Sequence, residues 1–109
     1  TPTPSDDYYH SYYKFYTFLR PEFLKQGWSR NKIIQEINAK GIPCFYGSCS
    51  EVYKEKAFAG TDLRPTEALP IARELGETSL MFVVHPTLSE VEMNTTADIV
   101  SKVLSEATD

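Results

Sequence analysis

Residues 79–86 read SLMFVVHP. Within this stretch, Leu80 to Val84 is the longest purely apolar run of the chain. A continuous apolar run, as opposed to an alternating one, is the pattern of a strand covered on both faces, so this segment is placed at the centre of a sheet. The same run is far short of the ~20 apolar residues a membrane-spanning helix needs.

The flanks of this strand carry helix signals. Upstream, Pro70 is suited to the first position of a short helix that ends near Gly76. Downstream, Ser89 and Glu92 have capping-box spacing, and Val91, Ile99, Val100, Val103 and Leu104 give the helix that follows an apolar face. Further out, "SRNKIIQEINAKG" offers Ser29 as an N-cap, an Ile33, Ile34, Ile37 stripe and Gly41 as the residue after the helix. "IPCFY" at 42–46 is a short buried strand, and 51–58 is predicted as a short helix. "YYHSYYKFYTFLR" is strand from Tyr13 to Arg20, closed by Pro21, which cannot donate to a ladder. Both alternating sets of that strand are bulky, so it is either covered on two sides or meets a partner on its second face. The predicted order is β-α-β-α-α-β-α. That order is an α/β chain of the α+β two-layer kind: a small three-stranded, largely antiparallel sheet with helices on one face and the other face left for something else.

Composition bounds the rest. The chain has 109 residues, a formal charge of −4 and a pI near 5.1, which fits one domain of about 12.4 kDa. Scattered lysines and arginines and an acidic balance argue against nucleic acid or an anionic membrane as partner. Seven of the aromatic residues fall between Tyr8 and Phe18. The opening "TPTPSDD" starts on Thr and reads as a proline-studded linker, so residues 1–9 are expected to be an arm or domain boundary, 10–109 the domain, and the whole a piece of a larger protein. With no signal segment at the start, the expected location is cytoplasmic.

Local motifs assign no chemistry. Cys44 and Cys49 have neither His10 nor His85 at a metal-finger spacing and read as spectator thiols. Ser48, Cys49 and Ser50 follow a strand, but there is no G-x-S-x-G elbow, and the five glycines are too isolated for a phosphate loop. No catalytic residue and no metal ligand is assigned.

Three longer stretches say more. "HSYYKFYTFLRP", "WSRNKIIQEINAKGIPCFYGSCSEVY" and "LPIARELGETSLMFVVHPTLSEVEM" resemble, in order and spacing, the C-terminal small domain of the DegT/DnrJ/StrS family of sugar aminotransferases. The resemblance covers about residues 10 to 105. It implies the C-terminal domain of a fold-type I pyridoxal phosphate enzyme, which moves an amino group, usually from glutamate, onto a nucleotide-linked keto-sugar for lipopolysaccharide or related polysaccharide. It also implies a large N-terminal domain carrying the Schiff-base lysine, a homodimer when full length, and a fragment inactive alone. By position, His10 and Tyr13 match the family's "H..Y" strand start. Gly47, Ser48, Cys49 and Ser50 fall where the family has an "H[YF].P" loop facing substrate. Here Gly47 stands for the imidazole and Ser48 for the aromatic, which implies a divergent sugar specificity. Tyr13 reads equally as a packing residue, and Ser48 as a cap for the following helix. The alternative function is a free-standing α/β ligand- or protein-binding module that uses its aromatic strand as a platform.

Overall fold

The computed structural model describes residues 4–109; the first three residues of the predicted linker lie outside the described residues. Three strands, β1 (Lys14–Phe18), β2 (Cys44–Tyr46) and β3 (Ser79–Val83), form one sheet in the order β1-β3-β2, antiparallel throughout. The helices are α1 (Arg30–Ala39), α2 (Pro70–Thr78) and α3 (Glu90–Ala107). The continuous apolar run is thus the central strand, paired on both edges.

Register decides what each face carries. Phe15 pairs with Phe82, Thr17 with Leu80, and Cys44 with Phe82. Side chains on paired positions share a face. That face meets Ile33, Ile34 and Ile37 of α1 and Val103 and Ala107 of α3, and the two helices also pack on each other. Ile33, Ile37, Val103 and Ala107 are wholly inaccessible and Leu80 nearly so. The opposite face presents Tyr16, Phe18, Phe45, Met81 and Val83, of which Phe18, Phe45 and Val83 stay 42 to 52% exposed. This is the face left for something else.

Local chemistry shapes the joins. Pro43 lacks an N–H, so β2 opens one residue later, at Cys44. There the Asn38 carboxamide imitates a neighbouring strand: its Nδ2 donates to the Cys44 carbonyl at 2.8 Å and its Oδ1 accepts the Cys44 N–H at 3.0 Å. The capping box forms as spaced: Ser89 Oγ accepts from the Glu92 N–H, and the Glu92 carboxylate accepts from the Ser89 N–H at 2.8 Å.

Three details differ from the sequence reading. Residues 51–58 form two single 3-10 turns, Val52–Lys54 and Lys56–Phe58, because Glu55 between them is extended, at ψ 149°. Helix α2 runs through Gly76 to Thr78, so this glycine is not a stop. Val91 is 73% exposed, since only the second half of α3 reaches the core.

Ile37→Ala removes a wholly buried side chain at the meeting of α1, β3 and α3. A loss of about 2–5 kcal/mol in unfolding free energy is expected, measured by urea titration. The hydrogen bonds from Ser89 hold the Glu92 carboxyl below the usual glutamate range. A depressed folded pKa gives stability that is full above the unfolded value, ~4.3, and fades as pH falls through the folded one. The stability advantage of the parent over Glu92→Gln should therefore shrink below about pH 4.3.

Candidate functional site

Strand β2 ends at Tyr46, and Gly47, Ser48, Cys49 and Ser50 follow. Each of the four is held differently. A Cβ on Gly47 would lie 2.9 Å from Ser79 Cβ and 3.6 Å from Tyr16 Cε1, so only glycine lets the chain pass this close to the sheet. Ser48 Oγ lies 2.7 Å from the Tyr16 hydroxyl. The Cys49 thiol donates to a Glu55 carboxylate oxygen at 3.5 Å, and that hydrogen bond pushes the exposed thiol up from its ordinary pKa. Ser50 packs against Gly76 of α2, where a Cβ would collide with its hydroxyl and lie 3.2 Å from its Cβ. Gly76 is therefore in the helix for close approach.

Ser79 and Tyr16 both belong to the open sheet face, so the loop turns over the edge of that face. Beneath it, Arg30 Nη1 donates to the Gly76 carbonyl, and the guanidinium carbon lies 4.8 Å from the centroid of the Tyr46 ring. The loop offers the hydroxyls of Ser48 and Ser50, and β1 that of Tyr16 beside them, each able to donate and to accept. Cys44, by contrast, is buried among core residues, and burial pushes its thiol up to about 11.

The structure places the other predicted residues elsewhere. His10 Nδ1 accepts the Tyr12 N–H at 2.9 Å, and the two rings lie 4.2 Å apart between centroids. This holds Tyr12 in a left-handed conformation, at φ 44°. Tyr13 is 84% exposed, with Lys14 Nζ over its ring. These residues lie beyond the Lys14–Val83 rung, whereas Gly47 follows the Tyr46–Leu80 rung near the other end of β3. His10 and Tyr13 thus lie with Tyr12 beyond one end of β3, and Gly47, Ser48, Cys49 and Ser50 with Tyr16 and α2 nearer the other.

A cleft of about 590 Å³ opens at the His10 end, between the sheet and the first half of α3, lined by Tyr12, Phe15, Val84, Leu88 and Met93, with His85 at its rim. Smaller clefts flank Trp28 and Arg30, and Arg20 and Arg73. Sequence reasoning had passed over Tyr12, Met93 and Arg30. Arg30 did leave a signal: a cation at the first position of α1 opposes the helix dipole. Among the described residues no three metal-binding side chains come together, and no helix is long and apolar enough to cross a membrane.

No family model matches the chain, and a search of curated proteins finds no match. Solved structures do match. The aminotransferase from Psychrobacter cryohalolentis is 52% identical over 91% of this chain and 25% of its own, with a TM-score of 0.85. The chain is an aminotransferase domain, and its fold is the one the DegT/DnrJ/StrS enzymes carry. The aminotransferase TlmJ from Streptoalloteichus hindustanus shares that fold at 18% identity and a TM-score of 0.74, over 97% of this chain and 25% of its own. A DegT DnrJ EryC1 StrS aminotransferase from Brucella abortus does so at 22% identity and a TM-score of 0.57, over 67% of this chain and 19% of its own. The domain spans about a quarter of the length of the first two of these chains.

Two thiols of this aminotransferase domain report on the loop and the core separately. Cys49 should be alkylated in the native state, while Cys44 should react only on unfolding. In Gly47→Ala the new Cβ meets Ser79, so the domain should lose stability by about 1–3 kcal/mol in denaturant titration.

Proposed function

We propose that the chain is the C-terminal small domain of a pyridoxal-phosphate-dependent aminotransferase that moves an amino group, from glutamate, onto a nucleotide-linked keto-sugar in surface polysaccharide or lipopolysaccharide synthesis in the cytoplasm. The observation that carries this reading is the 52% identity, over 91% of the chain, to an aminotransferase of which the match covers 25%. Residues 10–109 form the domain in this reading, with 1–9 the arm from a large N-terminal domain.

Pyridoxal phosphate demands a Schiff-base amine and a partner for its ring nitrogen. Four of the seven lysines here are engaged elsewhere. Lys14 lies over Tyr13, Lys25 reaches the Glu106 carbonyl, Lys32 sits 4.5 Å over the Trp28 ring, and Lys54 pairs with Glu51 at 2.8 Å. No lysine lines the clefts described above. In this reading the cofactor's lysine and cradle belong to the large domain, and the domain by itself carries no transamination.

What the domain brings is a surface. The hydroxyls of Ser48, Ser50 and Tyr16 suit the polyhydroxyl chemistry of a sugar, and the open face with Phe18, Phe45 and Val83 suits burial against the large domain and the second subunit of a homodimer. His10 and Tyr13, at the other end of β3, suit contacts with that same covering surface.

The full-length protein is expected to bind pyridoxal phosphate, seen as visible absorbance, and to consume glutamate with at least one member of a panel of nucleotide-linked keto-sugars. Residues 1–109 alone should do neither. A full-length protein that binds no cofactor would overturn the proposal in favour of a free-standing binding module.

A further inference from the structure

Arg30 stands in a position that its own helix disfavours. It is the first residue of α1, where a cation faces the positive end of the helix dipole, and its Nε is buried with no partner among the described residues. Both features cost α1 stability. The return lies in two other elements. Nη1 donates to the carbonyl of Gly76, in the last turn of α2, where carbonyls have no partner within the helix and a cation is favoured. The same guanidinium lies over the Tyr46 ring at 4.8 Å.

Tyr46 immediately precedes the Gly47–Ser50 loop, and Gly76 is the residue on which Ser50 rests. One side chain therefore fixes both ends of the loop, while Tyr16 fixes its middle through Ser48. We propose that Arg30 is the positioning residue of the Gly47–Ser50 loop, setting where its hydroxyls stand over the open face. The consequence for sugar binding rests on the proposed function; the mechanical statement does not.

The guanidinium is planar and forked, so it can stack on a ring and donate in one plane, which an ammonium cannot do. That separates positioning from a generic charge effect, which lysine would supply equally well. The test uses the isotopically labelled 109-residue chain with Arg30→Lys, Arg30→Ala and Gly76→Ala. Gly76→Ala keeps Arg30 and disturbs the loop from the α2 side, through the new Cβ against Ser50. In all three variants the amides of residues 47–50 should shift and gain mobility by nitrogen relaxation, and Cys49 should be alkylated several-fold faster. Amides of Ile37 and Leu80 should stay as in the parent. In the full-length enzyme the same variants should raise KM for the sugar nucleotide several-fold with kcat little changed.

A lysine variant indistinguishable from the parent would overturn the proposal. So would a loss of order that spreads evenly to Ile37 and Leu80, which would make Arg30 a general stabiliser. If Arg30→Ala does not fold, Arg30→Lys and Gly76→Ala decide. Should the loop loosen as expected while the full-length protein shows no transamination, the positioning role stands and the functional reading falls.

Discussion

The pairing of β3 with an antiparallel strand on each side is the constraint from which the rest of the domain follows. Strand β3 begins at Ser79, directly after the last residue of α2, with no linker between them. The Leu19 N–H donates to the Thr78 carbonyl at 2.9 Å, so β1 continues to hold the chain at that join. Once the register sets Leu80 and Phe82 against α1, it also sets where α2 ends and which residue of α2 faces the loop after β2. A slip of one residue would turn Leu80 and Phe82 to the open side and carry Gly76 away from Ser50. The core and the candidate site are therefore specified by one register.

The elements that carry this register were largely legible in the sequence because the signals behind them are local. Five consecutive apolar residues can be read without knowing their neighbours, and so can Ser89 three residues before Glu92 or an isoleucine stripe after Ser29. What could not be read is what depends on two distant segments at once. Gly76 has the composition of a helix stop, yet it serves as the flat surface on which Ser50 packs; only the approach of α2 to the loop distinguishes the two. The 51–58 segment has helix-forming residues, but the extended Glu55 and the bonds from Arg64 to the Lys54 and Glu55 carbonyls hold it as separate turns. Family-like spacing suggested His10, Tyr13 and the Gly47–Ser50 loop as contributors to one pocket. Such spacing carries no information on which end of the sheet each residue reaches; that is set by the register.

The aromatic strand illustrates the division. Its two bulky sets predicted that neither face is a solvent face. The structure covers neither set fully: Phe15 and Thr17 line the side on which the helices pack, yet Phe15 stays 38% exposed and Tyr13 84%. The other set has Tyr16 engaged by Ser48 and Phe18 still 42% exposed. The buried core consists mainly of Ile33, Ile34, Ile37, Leu80, Phe82 and Val103, with Cys44 and Ala107 filling between them. An exposed apolar sheet face beside so modest a core resembles a surface shaped for further burial more than a finished exterior.

The loop and the open face are joined in this respect. Ser79 and Tyr16, the residues that Gly47 and Ser48 touch, point to the same side as Phe18 and Met81. A surface laid over the apolar part of that face would therefore meet the hydroxyls of the loop at its edge. In the proposed enzyme such a boundary, apolar on the sheet and polar at the turn, would let the apolar part exclude water and the hydroxyls orient a ligand. The loop's position is then worth fixing from below. Arg30 does this from the helix layer, through the Tyr46 ring and the Gly76 carbonyl, so it can set the loop's position without occupying the open face.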